Sequence, residues 1–127
     1  MPKRILIVDD EPDILKSVKF ILEKAGYEVF TADDGEEGVE MAKKQRPDII
    51  LLDLRLPGKD GFEVCGELKG DQNFRNIPII LLTASAGIRK KDFEGCAHDG
   101  FILKPFQYGE LLAKIREFIP ENNEPGA

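Results

Sequence analysis

The chain has 127 residues, 42% hydrophobic and 33% charged, which suits one soluble globular domain with a core of its own and argues against disorder. Its 18 basic and 24 acidic residues leave a formal net charge of -6, which speaks against an electrostatic grip on nucleic acid and for a protein, or a small anion held through a metal, as partner. No stretch approaches the roughly 20 apolar residues of a membrane span, no signal-peptide core opens the chain, and Cys65 and Cys96, lacking metal-ligand spacing, read as small half-buried hydrophobes in a reducing, cytoplasmic setting.

Residues 3–9 carry Ile5, Leu6, Ile7 and Val8, a buried strand. Asp10, Glu11 and Pro12 follow, offering capping carboxylates and a proline suited to a first helical turn. Ile14, Leu15, Val18, Ile21, Leu22 and Ala25 recur at helical spacing, and Gly26 supplies the stop. Residues 27–32 alternate apolar and polar, as suits a strand at the edge of a sheet. After a turn at Asp33, Asp34 and Gly35, residues 36–45 predict a weaker helix that buries Val39, Met41 and Ala42 and is closed by Pro47.

The run Ile49, Ile50, Leu51, Leu52 has no polar alternation and ends on Asp53, with turn residues Pro57 and Gly58 close behind. Such a run suits a strand buried on both faces in the middle of a parallel sheet, so its terminal carboxylate demands an explanation. Residues 61–69 predict a third helix on Phe62, Val64, Cys65 and Leu68, and 71–76 a polar connection. Residues 77–82 form a fourth buried strand with Pro78 near its start, and 88–95 a lightly anchored fourth helix. Residues 101–103 give a short fifth strand, and Tyr108, Leu111, Leu112, Ile115, Phe118 and Ile119 a strongly amphipathic last helix. Strands alternating with helices imply right-handed βαβ units and an open parallel sheet with helices on both faces. One domain over 1–119 is expected, with 120–127 a flexible tail or the start of a linker.

In that topology Asp9 and Asp10 follow the first strand, Asp53 ends the third, Thr83 ends the fourth and Lys104 follows the fifth, all at the carboxyl edge of one sheet. Carboxylates about 4 Å apart repel by about 4 kcal/mol per pair at an effective dielectric near 20, so a cation must join them. Lys104 is one charge, and a hard divalent ion with oxygen ligands is the other.

Val8-Asp9-Asp10-Glu11, Asp48 to Asp53, Pro57 to Phe62, Ile79 to Ala84 and Lys104-Pro105-Phe106 occur in one order and spacing, and with them the chain resembles the receiver domain of two-component response regulators over 3–119. The resemblance implies a single-domain, flavodoxin-like three-layer α/β/α sandwich, a five-stranded parallel sheet in order 2-1-3-4-5. It implies that Asp53 accepts a phosphoryl group from a histidine kinase or histidine phosphotransfer protein. Asp10 would ligate Mg²⁺ (or Mn²⁺) directly and Asp9 largely through water, with Asp53 and the backbone carbonyl of Arg55 completing the protein's share. Lys104 and Thr83 would take phosphoryl oxygens. Thr83 and Phe101 would form the switch, moving the surface of the fourth helix, fifth strand and last helix toward a downstream protein, an output domain or a second copy in a phosphorylation-dependent homodimer. The Lys104-Pro105 bond is expected to be cis. Such a domain is a signalling phosphoacceptor that catalyses only its own Mg²⁺-dependent phosphorylation and dephosphorylation, with no nucleic acid or membrane contact of its own.

Each residue has a plainer use: Asp9 and Asp10 as helix caps, Asp53 in an Asx-turn, Thr83 as a cap, Lys104 on the surface, Phe101 as core filler. Their joint placement at one sheet edge favours the site. His98 reads as a solvated residue and Arg89 to Lys91 as a solvated helix face. Three other functions are weighed: a phosphatase with an aspartyl nucleophile, which wants an acid where Arg55 stands; a flavin module, whose phosphate Asp9, Asp10 and Glu11 would repel; and a non-phosphorylated pseudo-receiver scaffold, disfavoured because every required residue is present. Leu56, the Cys96-Ala97-His98 stretch and Gly100 depart from the family pattern, which bears on dimer geometry. Arg55 and Ser85 would flank the acyl phosphate and influence its hydrolysis.

Overall fold

The computed structural model describes residues 2–83 and 99–119. The helix expected over 88–95, the loop 84–87, Cys96, His98 and the tail 120–127 therefore lie outside the described residues. The elements run β1 (Arg4–Val8), α1 (Pro12–Lys24), β2 (Glu28–Ala32), α2 (Gly35–Gln45), β3 (Ile49–Asp53), α3 (Gly61–Lys69), β4 (Ile79–Thr83), β5 (Gly100–Leu103) and α4 (Tyr108–Phe118), the last being the amphipathic helix that closes the sequence pattern. The five strands form one sheet in order β2-β1-β3-β4-β5, all neighbours parallel. Its central strands β1, β3 and β4 are the unbroken apolar runs. The alternating strand β2 is at an edge.

The period of two along each strand divides the core between the sheet's faces. Leu6, Val8, Ile50, Leu52, Ile79 and Leu81 pack with Val39 and Ala42 of α2 and Val64 and Leu68 of α3. Ile5, Ile7, Ile49, Leu51, Ile80 and Leu82 pack on the opposite face with Val18 and Leu22 of α1 and Leu111 and Ile115 of α4. The sheet interior is thus dry on both sides, and polar chemistry is left to its edges.

Local sequence sets the helix ends. Pro12 opens α1, but the expected carboxylate cap is absent: Glu11 holds the N-cap position without capping through its side chain. Asp9 Oδ1 instead accepts from the Glu11 amide at 2.9 Å. Asp34 caps α2 by accepting from the Glu37 amide, and Asp60 and Glu63 form a reciprocal capping box on α3. The 71–76 connection is less polar in effect than its composition predicts, since Phe74 is buried beneath α3 in the core. Cys65 is fully buried in the core cluster with Val64 and Leu68, deeper than the half-buried hydrophobe that the sequence predicts.

Two glycines place the strand end that carries Asp53. A Cβ on Gly61 would lie 2.3 Å from the Asp53 carbonyl oxygen and 2.6 Å from Leu54 Cα, so α3 starts directly on that backbone. Gly58 has φ +73, the left-handed region that the turn before α3 requires.

Candidate functional site

The backbone ladder delivers five side chains to one edge. Asp9 is tied in place by its amide, which donates to the Ala32 carbonyl at 3.1 Å, and the Lys104 amide donates to the Thr83 carbonyl at 2.7 Å. Asp9, Asp53 and Thr83 are buried, whereas Asp10 is exposed. Carboxylate oxygens of Asp9, Asp10 and Asp53 all lie within 4.8 Å of one another. Lys104 reaches into this group from β5: its Nζ is 2.6 Å from Asp9 Oδ2, 3.1 Å from Glu11 Oε1 and 3.5 Å from Asp53 Oδ2. The Lys104-Pro105 peptide bond is cis.

Asp53 also makes the local contact of an Asx-turn, its Oδ1 accepting from the Arg55 amide at 3.2 Å. The local and the long-range uses coexist, because that bond engages one oxygen and leaves Oδ2 toward Lys104. Burial pushes the Asp53 carboxyl up from 3.8 to about 6, opposed by the Arg55 amide and aided by the charge of Asp9, with Lys104 pulling down and Asp10 pushing up more weakly. For Lys104, burial alone would favour the neutral amine. Its hydrogen bonds to Asp9 and Glu11 and the nearby Asp53 charge outweigh burial and hold the ammonium above the ordinary lysine value.

One ammonium against three clustered carboxylates leaves the pocket negative. Hard oxygen donors at this spacing, two of them out of water, fit a small divalent cation such as Mg²⁺. A second acidic group, Asp33, Asp34 and Glu37, lies equally close together. Two of those acids are occupied in capping: Asp34 accepts from the Glu37 amide and Glu37 from the Asp33 amide.

The structure therefore brings together Asp9, Asp10, Asp53, Thr83 and Lys104. Phe101, three residues before the lysine, faces outward from β5 and is 48% exposed. Arg55 contributes its amide to Asp53 and an exposed side chain. Asp48, at the opposite end of the Asp53 strand, has a separate, structural job: its carboxylate accepts from the Arg4 amide at 2.7 Å. Reading Glu11 as a cap missed its partner Lys104, 93 positions away; a third acid beside Asp9 and Asp10 was the available signal. Equally unforeseen is Lys69, whose Nζ donates to the carbonyls of Arg75 and Ile77 and to Asp99 Oδ2 at 2.7 Å. A groove of about 500 Å³ opens beside Lys104, lined by Glu11, Ile14, Ser17, Phe106 and Tyr108 among others.

A sequence profile described as the response regulator receiver domain matches residues 5–116. The chain is 44% identical over 118 residues to a DNA-binding dual master transcriptional regulator, RpaA, from Synechocystis sp.; the match covers 91% of this chain and 48% of that protein, so the chain spans about half its relative's length. Among solved structures it is similar to the receiver domain of a sensor histidine kinase from Pseudomonas aeruginosa with magnesium coordinated in the active-site cleft (TM-score 0.86, 33% identity, 94% of this chain and 98% of that one). It is also similar to a response regulator protein from Thermotoga maritima in complex with Mg²⁺ and BeF (TM-score 0.82, 36% identity, 92% of this chain and 99% of that one).

Proposed function

The chain belongs to the response regulator receiver domain family, and from that premise we propose that Asp53 accepts a phosphoryl group from a phosphohistidine on a histidine kinase or phosphotransfer protein. The observation that carries this is the setting of Asp53: a nearly buried carboxylate at a strand end, beside Asp9 and Asp10 and 3.5 Å from the Lys104 ammonium. With a pKa of about 6 the group is mostly ionised at neutral pH and remains a nucleophile.

Asp9, Asp10 and Asp53, with the backbone carbonyl of Arg55, would hold the divalent ion. When bound, Mg²⁺ supplies charge neutralisation of phosphoryl oxygens as negative charge accumulates in a loose transition state. Asp53 Oδ2 forms the new bond to phosphorus while the donor's P–N bond breaks and the imidazole keeps the electron pair. Lys104 is already at the same edge and takes a phosphoryl oxygen, and the Thr83 hydroxyl takes another. Little covalent chemistry is asked of the chain beyond that attack, so positioning and electrostatics do most of the work and a small amido or acyl phosphate can substitute for the kinase. The groove between α1 and the loop after Lys104 offers a protein donor its line of approach.

For output, Thr83 moves toward the phosphoryl group and Phe101 turns inward from its exposed position, changing the surface around β5 that a downstream protein, an output domain or a second copy reads. We assign the receiver unit to 1–119 and a tail or linker to 120–127, working in the cytoplasm where phosphohistidine donors act. Among the described residues no helix is long and apolar enough to cross a membrane.

The test is labelling by a small phosphodonor in Mg²⁺. The unchanged chain should acquire a base-labile phosphoryl group and Asp53→Asn should acquire none; equal labelling of the variant would remove Asp53 from the role.

A further inference from the structure

Lys104 has more carboxylate partners than one ammonium needs. Asp9 Oδ2 is at 2.6 Å and Glu11 Oε1 at 3.1 Å, with Asp53 Oδ2 at 3.5 Å. Asp9 and Asp53 are buried members of the cluster that fits a divalent ion, whereas Glu11 stands outside it and is 59% exposed on its side chain. The Lys104 ammonium therefore occupies part of the electrostatic role a divalent ion would take over. A cation drawn to Asp9 and Asp53 repels the ammonium and competes for the same oxygens.

We propose that Glu11 is a positioning residue that receives the Lys104 ammonium when a divalent cation claims Asp9 and Asp53, holding it at the sheet edge where the phosphoryl group will arrive. The inference rests on the phosphoacceptor reading of this site. It follows from the number of partners: with the cation bound, Glu11 is the only one of the three carboxylates left to Lys104, so the Glu11–Lys104 bond gains strength when the ion enters. The exposed position of Glu11 lets its side chain follow the lysine without disturbing the core. Its lack of a capping bond at the start of α1 leaves the carboxylate committed to no backbone group.

The experiment is a double-mutant cycle of Glu11→Gln and Lys104→Met on the full chain, read by calorimetric titration with Mg²⁺ alone. With Lys104 present, Glu11→Gln should weaken Mg²⁺ binding about tenfold, the loss of roughly one charge-assisted hydrogen bond. With Lys104→Met, the same change should weaken it no more than about twofold, the residual attraction of one exposed charge. Lys104→Arg keeps the cation and should restore the larger effect, which also guards against a poorly folded methionine variant. In side-chain NMR the Lys104 Nζ protons should stay protected on adding Mg²⁺ to the unchanged chain and lose protection in Glu11→Gln. Equal effects of Glu11→Gln in both lysine backgrounds, or none in either, overturn the positioning role while leaving the phosphoacceptor reading intact. No Mg²⁺ binding by the unchanged chain overturns both.

Discussion

Replacing Asp53 by Asn should stabilise the metal-free protein, and the size of the gain follows from the site. Burial, with Asp9 and Asp10 adding to it, raises the Asp53 carboxyl from 3.8 to about 6. An acid with a higher pKa folded than unfolded holds more protons in the native state between the two values. Stability therefore falls as pH rises from about 4 to about 6 and stays low above that. At 1.36 kcal/mol for each tenfold change in acidity, the native state gives up about 3 kcal/mol by pH 7. The side chain is 8% exposed, so solvent screens little of this, but Lys104 at 3.5 Å loses an ion-pair partner in the variant. Asp53→Asn should thus gain about 1–3 kcal/mol in chelator at pH 7, roughly 4 °C in Tm per kcal/mol. Urea unfolding followed by circular dichroism is suitable, since the chain has no Trp. The gap should shrink as pH falls toward 4, and in millimolar Mg²⁺ because the unchanged chain gains more from the ion. Equal stabilities in chelator, or the same loss between pH 4 and 6 in the Asn variant, would refute the reasoning.

Other perturbations probe the remaining supports. Mg²⁺ at ten times its dissociation constant should raise stability by about 1.4 kcal/mol, seen as a higher melting temperature, and Asp10→Ala should abolish the rise. Gly61→Ala should cost about 1–3 kcal/mol or more in urea unfolding, because the new Cβ meets the Asp53 carbonyl oxygen at 2.3 Å and backbone has to yield. Lys69→Met should cost about 1 kcal/mol, since it takes the ammonium from the Arg75 and Ile77 carbonyls and from Asp99, which keeps its hydrogen bond from the Ile79 amide. A Lys69→Met protein as stable as its parent would show that this hub is dispensable.

The sheet was legible because its central strands are buried on both faces: Ile5 to Val8, Ile49 to Leu52 and Ile79 to Leu82 admit no other economical placement than a parallel core. The placement of the candidate site residues at one sheet edge was legible for the same reason, since a polar residue ending such a run stands out. Contacts between residues far apart with no pattern of their own were not. Nothing local distinguishes Lys69 from any lysine closing a helix, yet its partner Asp99 is 30 positions on. Phe74 hid in a polar stretch because burial there depends on how the turn folds back under α3, which composition does not encode. Glu11 was misassigned because capping is the commonest use of an acid before Pro12, and only tertiary structure puts Lys104 beside it.

Gly61 also bears on how movement can leave the site. With no side chain between the first turn of α3 and the carbonyl of Asp53, strand end and helix act as one stiff lever. A load applied at Asp53 finds no cushion in that direction. Across the sheet, at the ends of β4 and β5, Thr83 and Lys104 share a backbone hydrogen bond and Phe101 and Leu103 face outward half exposed. Asp53 is thus flanked on one side by a helix start packed backbone to backbone and on the other by half-exposed side chains of the edge strand.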